Sequence, residues 1–331
     1  MTGPSNTRRT VLGLLAGAGA GGLAASAASA RQQPPITTEV LSGAERMMGV
    51  SYTATEREQM LNGVEAWVSR AERLRAVDKP NELAPALTFD PRLPGATYRA
   101  QDKFVSGLPV NAGALPENPA DIAFAPTWKQ ASWMASGALT SVQLTEIYLD
   151  RITRHGDALE CYVTVTADHA RRHAAQMDAE RARGAVRGPL HGIPYALKDI
   201  IDVADVRASW GASVYQDRVA DQTAVVAQRL EAAGAVLLGK ATSGALAYGD
   251  IWFDGVTRNP FNPNEGSSGS SAGPASATAA ALCSFAIGTE TLGSIVSPSH
   301  RCGTTGLRPT FGRVPRTGAM ALCWSLDKIG P

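Results

Sequence analysis

Met60, Leu61, Val64, Trp67, Val68, Ala71 and Leu74 recur at the three-and-four spacing of a single helix face. Thr55 and Glu58 make a capping-box pair ahead of them, and Lys79-Pro80 stops the pattern, so a long amphipathic helix is predicted. Residues 31–52, opening on Gln32-Gln33-Pro34-Pro35, carry little pattern and read as an entry segment. The stretch 81–119 holds six prolines among short apolar pieces, the composition of an extended arm laid over its own domain or a partner. Periodicity returns near Ile122. A short helix over 127–136 is broken by Gly137, and Thr140 with Gln143 caps a second helix bearing Leu144, Ile147, Tyr148 and Ile152. Tyr162 to Val165 is β-rich, and 167–183 is a polar-faced helix that Gly184 ends. Tyr195 to Val203 reads as a buried strand with Lys198 and Asp199 embedded in it. An amphipathic helix over 223–233, closed by Gly234, and a strand over 235–239 complete a βαβ unit. The expected architecture is therefore α/β, with a mixed, mostly parallel sheet covered by helices on both faces.

Composition narrows the function classes. The 331 residues are 44% hydrophobic and 18% charged, enough for a large core, and 31 basic against 30 acidic residues leave no electrostatic footprint for nucleic acid. Residues 1–30 read as a twin-arginine signal peptide. Arg8-Arg9 precedes an uncharged run from Val11 to Ala27, and Ala28-Ser29-Ala30 supplies a cleavage site. The expectation is an exported protein, periplasmic or extracellular, that meets the membrane only in transit; a retained anchor is the competing reading. Removing those thirty residues leaves 29 basic against 30 acidic residues, a nearly neutral mature chain. The glycines of 17–22 match G-x-G-x-x-G, but no strand precedes them, and the match is read as accidental. Cys161, Cys283, Cys302 and Cys323 lack C-x-x-C spacing and read as mostly buried thiols, with a disulfide left open. His169 and His173 stand four apart on a helix beside Arg171, Arg172 and Asp178 without a third ligand, so they read as a solvated face and no metal is expected.

An ammonium inside an apolar strand is costly unless it is paired or neutral, which singles out Lys198. The stretch 266–298 adds hydroxyls on sharp turns among small residues, where backbone and ligand can approach closely. Within it, Gly288-Thr289-Glu290-Thr291-Leu292-Gly293-Ser294 follows a strand-like run and sets Ser294 on a tight turn whose N–H groups could converge as an oxyanion hole.

Residues 122–331 resemble the amidase signature family of serine hydrolases. The matching pieces are 188–199 (GPLHGIPYALKD), Leu238-Gly239-Lys240, Thr257-Arg258-Asn259-Pro260, the Gly/Ser turn, GTETLGSI, Cys302-Gly303, Gly306-Leu307-Arg308-Pro309-Thr310, Gly312-Arg313-Val314 and the closing DKIGP. The resemblance implies the amidase signature fold and a Lys198, Ser270, Ser294 triad that cleaves a small-molecule carboxamide without metal or cofactor. Ser294 would be the nucleophile, Ser270 the bridging serine after a cis peptide bond, and Lys198 the base. Ser270 is preferred to Ser267 because it lies 24 residues before Ser294, the family's interval, against 27. The backbone N–H groups of Thr291, Leu292, Gly293 and Ser294 would hold the oxyanion, with Ser271 and Asp199 in support. Pro274 suits the first turn of a helix over the alanine run, whose small residues allow close packing on the sheet.

Two residues depart from the family's usual pattern: Leu292 stands where glycine is common and Glu290 where aspartate is common. Leucine keeps the backbone N–H, but its side chain must point away from the substrate or narrow the pocket. The resemblance also implies a longer chain, so 122–331 is expected to be a C-terminally truncated domain following an extension over 31–121. Two other functions are carried forward: the glutaminase component of a tRNA-dependent amidotransferase, which an export signal argues against, and a non-catalytic exported binding protein on the same fold. Assembly is left between monomer and homodimer.

Overall fold

The computed structural model describes residues 35–78, 95–97 and 111–331. The residues read as an export signal, and most of those read as a proline-rich arm, lie outside the described residues. The chain divides into two compact units, Met1–Leu83 and Ala84–Pro331.

In the first unit, α1 (Thr38–Met48) precedes α2 (Ala54–Ala76). The entry segment read as patternless therefore contains a helix. Its N-cap is Thr37, and Gly49 closes it in the left-handed region. A fork–fork pair from Arg57 to the buried Glu45, at 2.8 and 2.7 Å, ties the two helices. That long-range pairing leaves no periodic mark in the sequence. The cap of α2 also differs from expectation: Thr53 and Glu56 form the capping box, two residues ahead of the Thr55 and Glu58 pair. Thr53-Ala54-Thr55-Glu56-Arg57-Glu58 contains two such pairs, and the chain uses the earlier one.

The second unit opens with α3 (Pro119–Ala123), α4 (Thr127–Ala135), α5 (Ser141–Leu159), β1 (Tyr162–Val165) and α6 (Ala167–Ala182). The Thr140–Gln143 capping box forms as the sequence suggests. Core packing already takes in Ala112 and Leu115, ahead of Ile122. Next come β2 (Pro194–Lys198), α7 (Val225–Ala232) and β3 (Val236–Ala241). Beyond them lie the short strands β4 (Ile251–Trp252), β5 (Gly255–Val256), β6 (Arg258–Asn259) and β7 (Asn262–Gly266). The chain then forms α8 (Ala272–Ala279), β8 (Phe285–Glu290), α9 (Val296–Arg301) and β9 (Lys328–Gly330).

The main sheet has the order β1-β3-β2-β8-β9. Its central strands β3, β2 and β8 run parallel, and the two edge strands pair antiparallel to them. Alternation splits the core in two. Ala196, Val236, Leu238 and Ala286 join the cluster under α5, α6 and α8, while Tyr195, Leu197, Leu237 and Ile287 join Ala224 and Ala227 on the α7 side. Tyr195 and Phe285, opposite each other on β2 and β8, stack with ring centroids 5.5 Å apart.

Strand β2 is shorter than the apolar run suggests. It ends at Lys198, where the chain turns, and Ile201 makes only an isolated bridge with Ala319. Ile200, Ile201 and Val203 are apolar because they pack in the second cluster, while Asp202 between them pairs with Arg218. Helix α8 lies hard on the sheet, since a Cβ on Gly273 would stand 2.2 Å from Thr242 N and 2.4 Å from Cys161 O. The cysteines are all free thiols, three of them buried. His173 is buried on α6 while His169 is exposed, which corrects the reading of both as one solvated face; no metal-binding group of three ligands occurs among the described residues. No helix among the described residues is long and apolar enough to cross a membrane.

Candidate active site

Chemistry collects at the carboxyl ends of β2, β3 and β8, where open parallel sheets leave backbone and loops free to bind ligands. Lys198 is the last residue of β2 and is completely buried. Its Nζ lies 2.8 Å from Ser270 Oγ and 2.8 Å from Thr289 Oγ1, and it donates to Thr289 O at 3.5 Å. Burial pushes the ammonium well below the ordinary lysine range, and the charges of Asp327 and Glu290 only partly oppose this. Ser270 is itself buried and follows a cis peptide bond from Gly269, the geometry that the resemblance implies for a bridging serine.

Ser271 fastens the serine turn to β8. Its Oγ accepts from Thr289 N–H at 3.1 Å and donates to Thr289 O at 3.0 Å, while its N–H donates to Ser294 O at 3.0 Å. Gly288 makes room for that hydroxyl, because a Cβ there would sit 2.6 Å from Ser271 Oγ. Ser270 and Ser294 line one cavity of about 350 Å³, with Ile200, Thr291, Met320 and Trp324 among its walls. No hydrogen bond joins the two serine hydroxyls. Among the expected site residues, Lys198 and Ser270 are thus in direct contact, and Ser294 lines the same cavity as Ser270.

The turn from Thr291 to Ser294 is fixed from beneath by Glu290. This buried carboxylate accepts from Ile295 N–H at 2.8 Å and Val296 N–H at 2.9 Å and pairs with Arg308 at 3.3 Å. Burial pushes its pKa up, but those two N–H donors and Arg308 outweigh it and hold the carboxyl below the usual range. The N–H groups of Leu292, Gly293 and Ser294 donate to no atom of the described residues. The Leu292 side chain is 85% exposed, so its bulk turns outward and leaves the cavity wall free.

Asp199 lies in a second buried cluster. Its Oδ2 accepts from Ser209 Oγ at 2.6 Å, and its Oδ1 faces Lys240 Nζ at 3.6 Å, with both side chains fully buried. Lys240 also donates to Asp199 O at 3.2 Å. Burial lowers the Lys240 pKa, and the Asp199 charge opposes that shift. Sequence reasoning passed over Thr289, Lys240 and Ser209. The signal for Lys240 was present, since it interrupts the apolar run of β3 as Lys198 interrupts that of β2. Lys240→Met, by leaving the Asp199 carboxylate buried without a cation, is expected to cost about 3–5 kcal/mol of stability. Urea denaturation followed by circular dichroism measures it, and a loss below about 1 kcal/mol, the range of an exposed pair, would contradict the buried-pair reading.

Fold and site together define an α/β protein with a buried Lys–Ser pair at the carboxyl edge of its parallel strands. The chain belongs to the amidase family, whose model matches residues 143–331. It is 39% identical over 207 residues to a glutamyl-tRNA(Gln) amidotransferase subunit of Synechococcus sp. (strain CC9605), covering 62% of this chain and 42% of that protein. The protein of the same name from Methylococcus capsulatus is 43% identical over 195 residues, or 58% of this chain and 40% of that protein. The chain thus spans about 40% of the length of these curated relatives. Among solved structures, native peptide amidase from Stenotrophomonas maltophilia matches with a TM-score of 0.58 at 38% identity, over 62% of this chain and 44% of that one. Fatty acid amide hydrolase matches with a TM-score of 0.58 at 27% identity, over 62% of this chain and 37% of that one.

Proposed function

We propose that this protein is a serine hydrolase that cleaves a carboxamide C–N bond through an acyl-enzyme on Ser294. The observation that carries the reading is the fully buried Lys198 held 2.8 Å from Ser270, beside a cavity that Ser294 shares. A neutral amine has two N–H bonds and one lone pair. If Thr289 Oγ1 and O accept the two hydrogens, the lone pair faces the Ser270 hydroxyl. Lys198 then takes the Ser270 proton while Ser270 takes that of Ser294, and Ser294 Oγ bonds to the amide carbon. Rotation of the Ser294 side chain toward Ser270 closes this relay.

The N–H groups of the 291–294 turn receive the negative charge that develops on the carbonyl oxygen. As the C–N bond breaks, Ser270 returns a proton to the departing nitrogen and recovers one from Lys198. Water then attacks the acyl carbon as its proton passes to Ser270 and Lys198, the bond from Ser294 Oγ to the acyl group breaks, and the relay returns that proton to Ser294, releasing the carboxylic acid. The structural relatives named as amidases support this reading.

A second reading, an ammonia-supplying glutaminase, is favoured by the curated relatives that carry the glutamyl-tRNA(Gln) amidotransferase name. Mixing the protein with glutamine and with a panel of primary and secondary amides separates the two. Ammonia or amine released from the panel but not from glutamine supports the amidase; release confined to glutamine supports the alternative.

Export is part of the proposal, resting on Arg8-Arg9 and the uncharged run behind them. In a bacterium with a twin-arginine pathway, Arg8→Lys with Arg9→Lys is expected to keep the protein in the cytoplasm. Equal periplasmic recovery of variant and wild type, read by fractionation and immunoblot, would contradict it.

A further inference from the structure

Asp327, just ahead of β9, and Lys328, its first residue, are two consecutive charged residues set against the first residue of the 291–294 turn. Glu290 pairs with Lys328 in the β8–β9 ladder, so the chain just past β8 meets the chain just before β9. Thr291 is held at both ends: its Oγ1 donates to Asp327 Oδ1 at 2.6 Å, and its carbonyl accepts from Lys328 Nζ at 3.3 Å. Asp327 is in turn fixed by accepting from Leu322 N–H at 2.9 Å and Cys323 N–H at 3.0 Å.

A trans peptide is planar, and its C=O and the following N–H point in opposite directions. Holding Thr291 O toward Lys328 therefore sets the Leu292 N–H to the other side, where no acceptor among the described residues receives it. The Leu292 side chain is 85% exposed and gives this plane little anchorage of its own. A peptide flip here would replace a donor with a carbonyl oxygen at the position where charge develops.

We infer that Lys328 and Asp327 are positioning residues that clamp Thr291 so that the Leu292 N–H stays presented as an oxyanion donor. The inference rests on the hydrolase reading and deepens it. Lys328 acts through the peptide plane, and Asp327, by accepting from the Thr291 hydroxyl, anchors the same residue through its side chain.

The test uses the whole chain, a fluorophosphonate that labels the nucleophile and a short-chain p-nitroanilide. Lys328→Met is expected to lower the labelling rate constant and kcat by about tenfold, less than the hundredfold or more that follows loss of a whole donor. The anilide KM should stay within about twofold, because the ground-state carbonyl draws less on the donor than the developing oxyanion does. Lys328→Arg, which can still donate to Thr291 O, should recover most of the rate, and Thr291→Val, which keeps the carbonyl but frees the side chain, should fall between. Labelling of Lys328→Met at the wild-type rate would overturn the clamp. So would a rise in KM that accounts for the whole loss, or a thermal midpoint lowered as far in Lys328→Arg as in Lys328→Met without rate recovery. If Ser294→Ala labels as the wild type does, the hydrolase reading fails and the clamp fails with it; if Ser294→Ala is silent while Lys328→Met is unimpaired, only the clamp fails.

Discussion

Ser294→Ala is expected to reduce amide hydrolysis by at least about 10⁴-fold, the scale on which loss of a nucleophile acts in serine hydrolases. The remaining activity would come from the cavity and the turn's N–H donors, which an alanine leaves in place. Ser294 is half-buried on the turn, and its main-chain contact, Ser271 N–H to Ser294 O at 3.0 Å, does not involve the hydroxyl. Stability should therefore change little, and the loss should fall on kcat. A variant that keeps more than a tenth of the wild-type rate would remove Ser294 from the covalent step.

Lys198→Met is expected to lower kcat by about 10²–10⁴-fold, the usual contribution of a positioned base. Methionine nearly fills the lysine's volume and removes the amine that lies 2.8 Å from both Ser270 Oγ and Thr289 Oγ1. The pH profile carries the sharper signature. Burial holds the Lys198 pKa well below its ordinary value near 10.5, so the reactive neutral amine is present above that lowered value. Activity falls by about tenfold per pH unit below it, and Lys198→Met should flatten that limb. Stability follows the same sign. Between the lowered pKa and the ordinary one the unfolded chain binds the proton and the native chain does not, so protonation favours unfolding and stability rises with pH across that window. Lys240, also lowered by burial, adds in the same direction. A rate limb that persists unchanged in Lys198→Met would assign it to another group.

Much of the site could be read from the residues because the fold needs unusual ones there. A lysine inside β2, small residues along α8 and glycines where hydroxyls or backbone press close all leave marks in the sequence. The resemblance supplied what spacing alone could not, including the preference for Ser270 over Ser267. The contacts that escaped are those between distant segments. Thr289 becomes a partner of Lys198 only when β2 and β8 lie parallel and adjacent, and Asp327 reaches Thr291 only through the antiparallel β8–β9 pairing. Neither relation has a local period. Helix α1 was missed for a similar reason, since the Glu45–Arg57 pair that anchors it joins two elements. Strand β2 ends earlier than the sequence suggests because burial in the cluster beside α7 keeps Ile200, Ile201 and Val203 apolar after the strand has ended.

The central claim is that Ser294 forms a covalent bond to the substrate's acyl group, with Lys198 and Ser270 moving the proton. Treating the protein with a fluorophosphonate and locating the adduct by mass spectrometry of its peptides tests this most directly. The account predicts a single adduct on Ser294, formed more slowly in Lys198→Met and absent in Ser294→Ala. An adduct on Ser270 or on another residue, or equal labelling of the wild type and Ser294→Ala, would contradict it.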